Sequence, residues 1–373
     1  MGPVQKVDKF TPSVYYRYTY KTIVELQRDV KMNRRSLLGI WKANGPQWVW
    51  TGFPVWIGAI FAGLGRAPTL SEWGPICLFL VTVAALIATC SQFSNIYADR
   101  YEDRIYVPSS PLVTGELEAG TAKKALILQN ILCGLLLIAL LVVTLNYWLI
   151  IALIFGWALG LTYNLPPFRF KETAINPFHF GLGMALALIV AWLAVSPLNR
   201  FIIAFAAFFF LHFAAFGTTN QLRKTFVALH AGQIQVEAGS SVYNVSTVIK
   251  LKVKTALALE AIAGLGAFIL IPIYWHLGIF DMPLSVALLT LPLVFMILAV
   301  VFRIRDPVRN ARKCEQFMAL TSLFIVFSFL GVALAAVVHW AFVILAFIFF
   351  TAVYYLLERT VRPFGASFRA IQV

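Results

Sequence analysis

Ten apolar runs, each close to the length of one bilayer crossing, alternate along the chain with polar connections. A helix rises about 1.5 Å per residue, so a hydrocarbon layer about 30 Å thick calls for about 20 apolar residues. The runs cover residues 46–65, 73–97, 122–144, 147–163, 177–195, 200–220, 253–275, 282–302, 316–338 and 340–357. None alternates in the manner of a transmembrane strand, and helices are the open-ended way to satisfy backbone groups in lipid. The pattern predicts ten membrane helices, the fourth and tenth of them short.

Composition supports that reading. Hydrophobic residues make up 60% of the 373 and charged residues 12%, where a soluble domain has about 45–50% and about 25%. The expected fold is an all-α polytopic membrane protein. Its parts would be a cytoplasmic segment 1–45, a helical bundle 46–338, and an additional helix with a basic tail, 339–373. Charge then orients the bundle. With both termini in the cytoplasm, every Lys and Arg except Arg66 and Arg200 falls on the inner side, as the positive-inside rule requires. The net charge of +14 therefore points to bilayer orientation, anionic headgroups or an anionic substrate rather than to nucleic acid. Cys77, Cys90, Cys133 and Cys314 form neither a disulfide framework nor a zinc spacing.

The larger polar segments all lie on the cytoplasmic side, so chemistry is expected there. "SNIYADRYED" places Asn95, Asp99 and Asp103 at i, i+4 and i+8, one face of a helix continuing past the bilayer. Like charges at that spacing are mildly destabilising. A hard cation such as Mg²⁺ reverses the sign, because carboxylate and amide oxygens are its natural ligands and it shares them with substrate phosphates. The alternative, at comparable weight on spacing alone, is a solvated helix end neutralised by Arg100 and Arg104.

"NIYADRYED" resembles the NxxxDxxxD motif of the UbiA superfamily of intramembrane prenyltransferases. "YNLPPFRFKETAINPFHFGLG" resembles that family's segment after its fourth helix, "SPLVTGEL" sits where the family has an Arg-Pro turn, and "RDPVRNARK" resembles its late basic loop. The resemblance spans roughly residues 40–338 and implies a bundle of nine to ten transmembrane helices with a cytoplasmic-side active site. It implies Mg²⁺ as cofactor, a prenyl diphosphate as substrate and a lipophilic acceptor as partner. It places Asn95, Asp99 and Asp103 on the metal, and Arg169 and Lys171 on the diphosphate. Tyr97, Tyr101 and Tyr163, beside these motifs, are expected to line the substrate site.

The chain departs from the family where a second Asp-rich row should follow helix 6. There it reads "NQLRKTFVA", and no Asp or Glu occurs between Glu172 and Glu237. Either the chemistry is lost, leaving a lipid-binding or scaffold protein, or Arg223 and Lys224 replace the second metal, with Asn220 beside them. Cationic clamps do stabilise transferring phosphates, and the surviving first row favours the second reading. Two enzymes fit: a prenyltransferase, and a UbiA-type terpene cyclase that folds the prenyl group on itself. Lesser candidates are Glu237, as a substitute acid or a solvated loop residue; Glu260, facing the cavity, paired with Lys254 or snorkelling to the interface; His212, satisfied by a carbonyl; and the phenylalanines of helix 6, as tunnel lining or lipid-facing residues.

Overall fold

The computed structural model describes residues 34–101, 103–107, 109–230, 253–306, 309–335 and 337–361. Among these residues every regular element is a helix. A short helix, α1 (Arg34–Ala43), leads into α2 (Pro46–Leu64), with Gly45 in the left-handed region at φ 55° supplying the turn. Next come α3 (Leu70–Leu86), a π-helical segment (Ile87–Phe93), α4 (Ser94–Ala98) and α5 (Asp103–Tyr106). The remaining helices are α6 (Ala119–Thr144), α7 (Tyr147–Asn164), α8 (Asn176–Leu193), α9 (Arg200–His230), α10 (Val253–His276), α11 (Met282–Leu289), α12 (Leu291–Arg305), α13 (Ala311–Ala335) and α14 (Trp340–Val361).

Among the described residues, nine helical stretches are long and apolar enough to cross a membrane. They reproduce nine of the ten expected runs. One of the nine joins α3, the π segment and α4, and another joins α11 and α12 across Thr290. The first expected run does form a helix, α2, but Gln47, Pro54 and three tryptophans keep its hydropathy below that of the nine. It is nonetheless built into the bundle: Val55, Trp56, Ala59 and Ile60 are buried, and α2 packs on α8 and α13.

Lipid tails are as apolar as leucine, so packing rather than the hydrophobic effect holds such helices together. The tightest associations are α8 with α9, α9 with α10, and α12 with α13. Here the phenylalanines of α9 find their place. Phe205, Phe208, Phe209 and Phe213 are buried, and Phe205 stacks on Phe329 of α13 with ring centroids 4.4 Å apart. They are core residues, neither lipid-facing nor lining an open tunnel. Arg66, one of the two exceptions to the charge rule, is neutralised by Glu72 at 2.7 Å.

Candidate functional site

The π-helical turn sets the stage for the acidic row. A π segment inserts an extra residue and leaves carbonyls without their usual i+4 partners, and such turns are frequent at functional sites. Here the Asn164 side chain, at the end of α7, donates to the carbonyls of Cys90 (3.0 Å) and Ser91 (3.2 Å) and to Ser94 Oγ (3.0 Å). Close approach of α7 makes this possible: a Cβ on Gly160 would lie 2.6 Å from Cys90 Sγ. Sequence reading overlooked Asn164. Its visible signal was an amide next to the "LPP" break.

Beyond the π turn the helix ends at Ala98, turns, and resumes at Asp103. Backbone i→i+4 bonds nevertheless run from Asp99 N–H to the Asn95 carbonyl (2.8 Å) and from Asp103 N–H to the Asp99 carbonyl (2.7 Å). The expected one-sided row therefore survives in a distorted helix. Asp99 and Asp103 are both buried, which is costly for carboxylates unless cations face them.

Those cations come from the segment after α7. Arg169, itself in the left-handed region at φ 43°, sends Nη2 to Asp99 Oδ1 at 2.9 Å. Such a backbone angle on a non-glycine residue is strained, and strain of this kind gathers at functional sites. Lys171, buried, pairs with the same Asp99 oxygen and donates to Asn95 Oδ1 at 3.0 Å. Further contacts fix the cations. Arg169 Nε meets Glu172 at 2.5 Å, and the Lys171 carbonyl accepts from Asn176 Nδ2 at 2.6 Å. Tyr163 donates to Asn176 Oδ1 at 3.2 Å and packs on His179, so it stands beside the site. Glu172 and Asn176 were not among the expected residues. Arg100 donates to the Tyr97 carbonyl at 2.8 Å and lies over the rings of Tyr97 and Tyr101. Asp99 is thus neutralised from across the bundle, by residues 70 or more positions away.

Asn95 and the two aspartates supply only hard oxygen donors, in the number Mg²⁺ takes when it keeps waters and shares phosphate oxygens. The donor set fits that ion. Among the described residues no group of three His, Cys, Asp or Glu side chains is placed to hold a metal.

The segment where a second acidic row was expected lies on α9, which continues ten residues past its expected end. Asn220 Oδ1 accepts from Arg223 Nη2 at 3.3 Å, and Arg223 Nε meets Glu315 of α13 at 2.7 Å. One turn earlier on the same helix face, Thr219 donates to Glu260 of α10, which is gripped by Arg303 of α12 at 2.9 and 3.1 Å. Glu260 thus pairs with Arg303, not with Lys254 or the interface, because Arg303 lies buried beside it. His212 bonds the Ser322 hydroxyl at 2.8 Å rather than a carbonyl. Lys224 is helical, and the turn of α9 carries position 224 round to the face of 213, 217 and 220, which packs on α8. Glu237 lies outside the described residues.

Between α6 and α7 an open apolar groove of about 570 Å³ runs past Ile127, Ile131, Gly134, Trp157 and Leu161. Within it, Trp157 Nε1 donates to Asn130 Oδ1 at 2.9 Å, and Asn130 Nδ2 donates to the Leu126 carbonyl at 2.7 Å.

A family model described as the UbiA prenyltransferase family matches residues 51–323. A curated relative, the 2-acylphloroglucinol 4-prenyltransferase of Humulus lupulus, is 31% identical over 166 residues, 40% of this chain and 38% of the relative. The match thus spans less than two-fifths of that protein's length. Among solved structures, digeranylgeranylglyceryl phosphate synthase superposes with a TM-score of 0.58 at 20% identity, over 80% of this chain and 98% of the other. A UbiA homologue from Archaeoglobus fulgidus bound to GPP and Mg²⁺ gives 0.53 at 19% identity, over 77% and 99%. At these identities the likeness is one of fold.

Proposed function

The chain belongs to the UbiA prenyltransferase family, and on that premise we propose that it is a Mg²⁺-dependent intramembrane enzyme that ionises a prenyl diphosphate of the farnesyl or geranylgeranyl class. It passes the prenyl group to a lipophilic, aromatic acceptor. The observation that carries the reading is the convergence of Arg169 and Lys171 on the Asn95–Asp99 end of the acidic row. Cations and hard oxygen donors side by side are what a metal-bound diphosphate needs. An aromatic acceptor is supported by the name of the Humulus lupulus relative, a prenyltransferase acting on an acylphloroglucinol.

In this reading Asn95, Asp99 and Asp103 hold Mg²⁺, which when bound supplies positive charge against the phosphate oxygens. Arg169 and Lys171 bind the diphosphate, and the planar guanidinium can engage two oxygens at once. When the allylic carbon–oxygen bond breaks, the electron pair stays on the diphosphate, whose charge rises. Cations already fixed by Glu172, Asp99 and the backbone need little reorganisation at that moment. The acceptor carbon then bonds to the allylic carbon and gives up its proton to the released diphosphate. From the altered helix, Lys224 supplies the cation that stands in for a second metal, with Asn220 beside it, while Arg223 is braced by Glu315. Tyr97 and Tyr163 wall the site next to the motifs.

The catalytic unit in this reading is 46–338, and α14 is an addition at its edge. The family match ends at 323, and only 6% of the membrane window of α14 is buried. The cytoplasmic location of the site and of both termini follows the charge distribution.

The test is to incubate membranes carrying the protein with farnesyl or geranylgeranyl diphosphate and a panel of phenolic acceptors, with and without Mg²⁺. The expected result is Mg²⁺-dependent diphosphate release that requires an acceptor and yields a prenylated product. A cyclic hydrocarbon formed without acceptor would assign a terpene cyclase instead. No Mg²⁺-dependent turnover with any combination would sink the catalytic reading.

A further inference from the structure

The ten residues of α1, "RRSLLGIWKA", are held in one rotation by two contacts with the loop before α6. A Cβ on Gly39 would sit 2.9 Å from Leu117 Cβ and 3.1 Å from the Glu116 carbonyl, so glycine permits the approach. Lys42 Nζ meets both carboxylate oxygens of Glu116 at 2.8 Å. With that rotation fixed, Leu37, Leu38 and Trp41 point outward, each about half exposed (50, 47 and 51%). Arg34 is exposed on the same side and Arg35 is exposed at its flank, and neither meets an acidic partner among the described residues.

Three large apolar side chains flanked by two arginines form a surface with a matching neighbour close by. Only Asn44 and Gly45 separate α1 from Pro46, where α2 enters the bundle, so α1 cannot stand far from the level of the bilayer surface. Tryptophan sits well at that level, and arginine stems reach from it to phosphates. We infer that α1 is an interfacial helix whose outward face docks into the anionic headgroup layer of the membrane the protein spans. Leu37, Leu38 and Trp41 enter the acyl boundary, and Arg34 and Arg35 meet lipid phosphates.

The inward face gives this docking a consequence for the site. Ala43, with Ile40 packed against it, belongs to the cluster formed by Phe93, Ile96, Leu117, Ala122 and Leu126, on which Tyr97 also packs. Phe93, Ile96 and Tyr97 flank Asn95 along the chain. Seating α1 therefore closes one wall of the hydrophobic support beneath the acidic row. None of this depends on the reaction proposed above.

The experiment is amide hydrogen exchange of residues 34–43 in the full chain, reconstituted in phosphatidylcholine vesicles with or without phosphatidylglycerol. Each arginine at an anionic surface strengthens attachment several-fold, so two should slow exchange of α1 by roughly thirtyfold in the anionic vesicles. Concentrated salt should erode that difference. The double substitution R34Q/R35Q should abolish it without moving the thermal transition of the bundle, and Leu38→Glu should speed exchange in both vesicle types. Protection equal in neutral and anionic vesicles, or unchanged in R34Q/R35Q, would overturn the inference and leave α1 held by its own loop or by another protein.

Discussion

Both ends of the bundle's polar face carry buried charge, but they use it differently. At the end of α4, the carboxylates come from one stretch of chain and the cations from a loop some 70 residues on, and Arg169 and Lys171 converge on Asp99. On α9, the charges are consumed between helices: Thr219, Glu260 and Arg303 tie α9 to α10 and α12, and Arg223 with Glu315 ties it to α13. In the function proposed here the first arrangement presents a cluster to the diphosphate. The second fastens four helices together, and an ionic contact inside a bilayer is worth keeping only where all its members are satisfied. The part of α9 where a second acidic row was expected thus carries charges that serve packing.

That contrast can be broken at its strongest point by Asp99→Ala. It removes the oxygen that Arg169 and Lys171 share, and Mg²⁺-dependent diphosphate release should fall on the order of a thousandfold. A variant retaining most of its turnover would mean that the row is structural. At the other end, Arg303→Met strands Glu260 in the bundle interior and should cost about 3–5 kcal/mol of stability, read as a lowered thermal transition in detergent. Glu260→Gln combined with Arg303→Met should recover much of that loss. If the double variant were as unstable as the single one, the pair would not be a satisfied unit.

The smallest effect sharpens the division within α9 itself. Lys224→Ala should lower turnover by roughly tenfold or more through weaker diphosphate binding. Arg223→Ala, which breaks a largely buried pair that ties α9 to α13, should change it only a few-fold. A silent Lys224→Ala would end the idea that a cation on this helix replaces a metal. Equal effects would show that Arg223 leaves Glu315 to reach the substrate.

Much of this was written in the chain. Apolar run length set the helices, because each must span the hydrocarbon layer with its own hydrogen bonds closed. Spacing by four put Asn95, Asp99 and Asp103 on one face, because i→i+4 bonds persist even where the helix is distorted. Basic residues in "RFK" were visible as candidate partners of an anion. Tertiary structure alone decided what each charge meets. Nothing in sequence spacing joins Lys171 to Asn95, Glu260 to Arg303 or Arg223 to Glu315, since those pairs arise from helix crossings that bring distant positions within 3 Å or so. Adjacent residues on α9 were read together as one cationic patch. A helix turns about 100° per residue, so packing sends position 223 toward α13 and position 224 toward the face that meets α8.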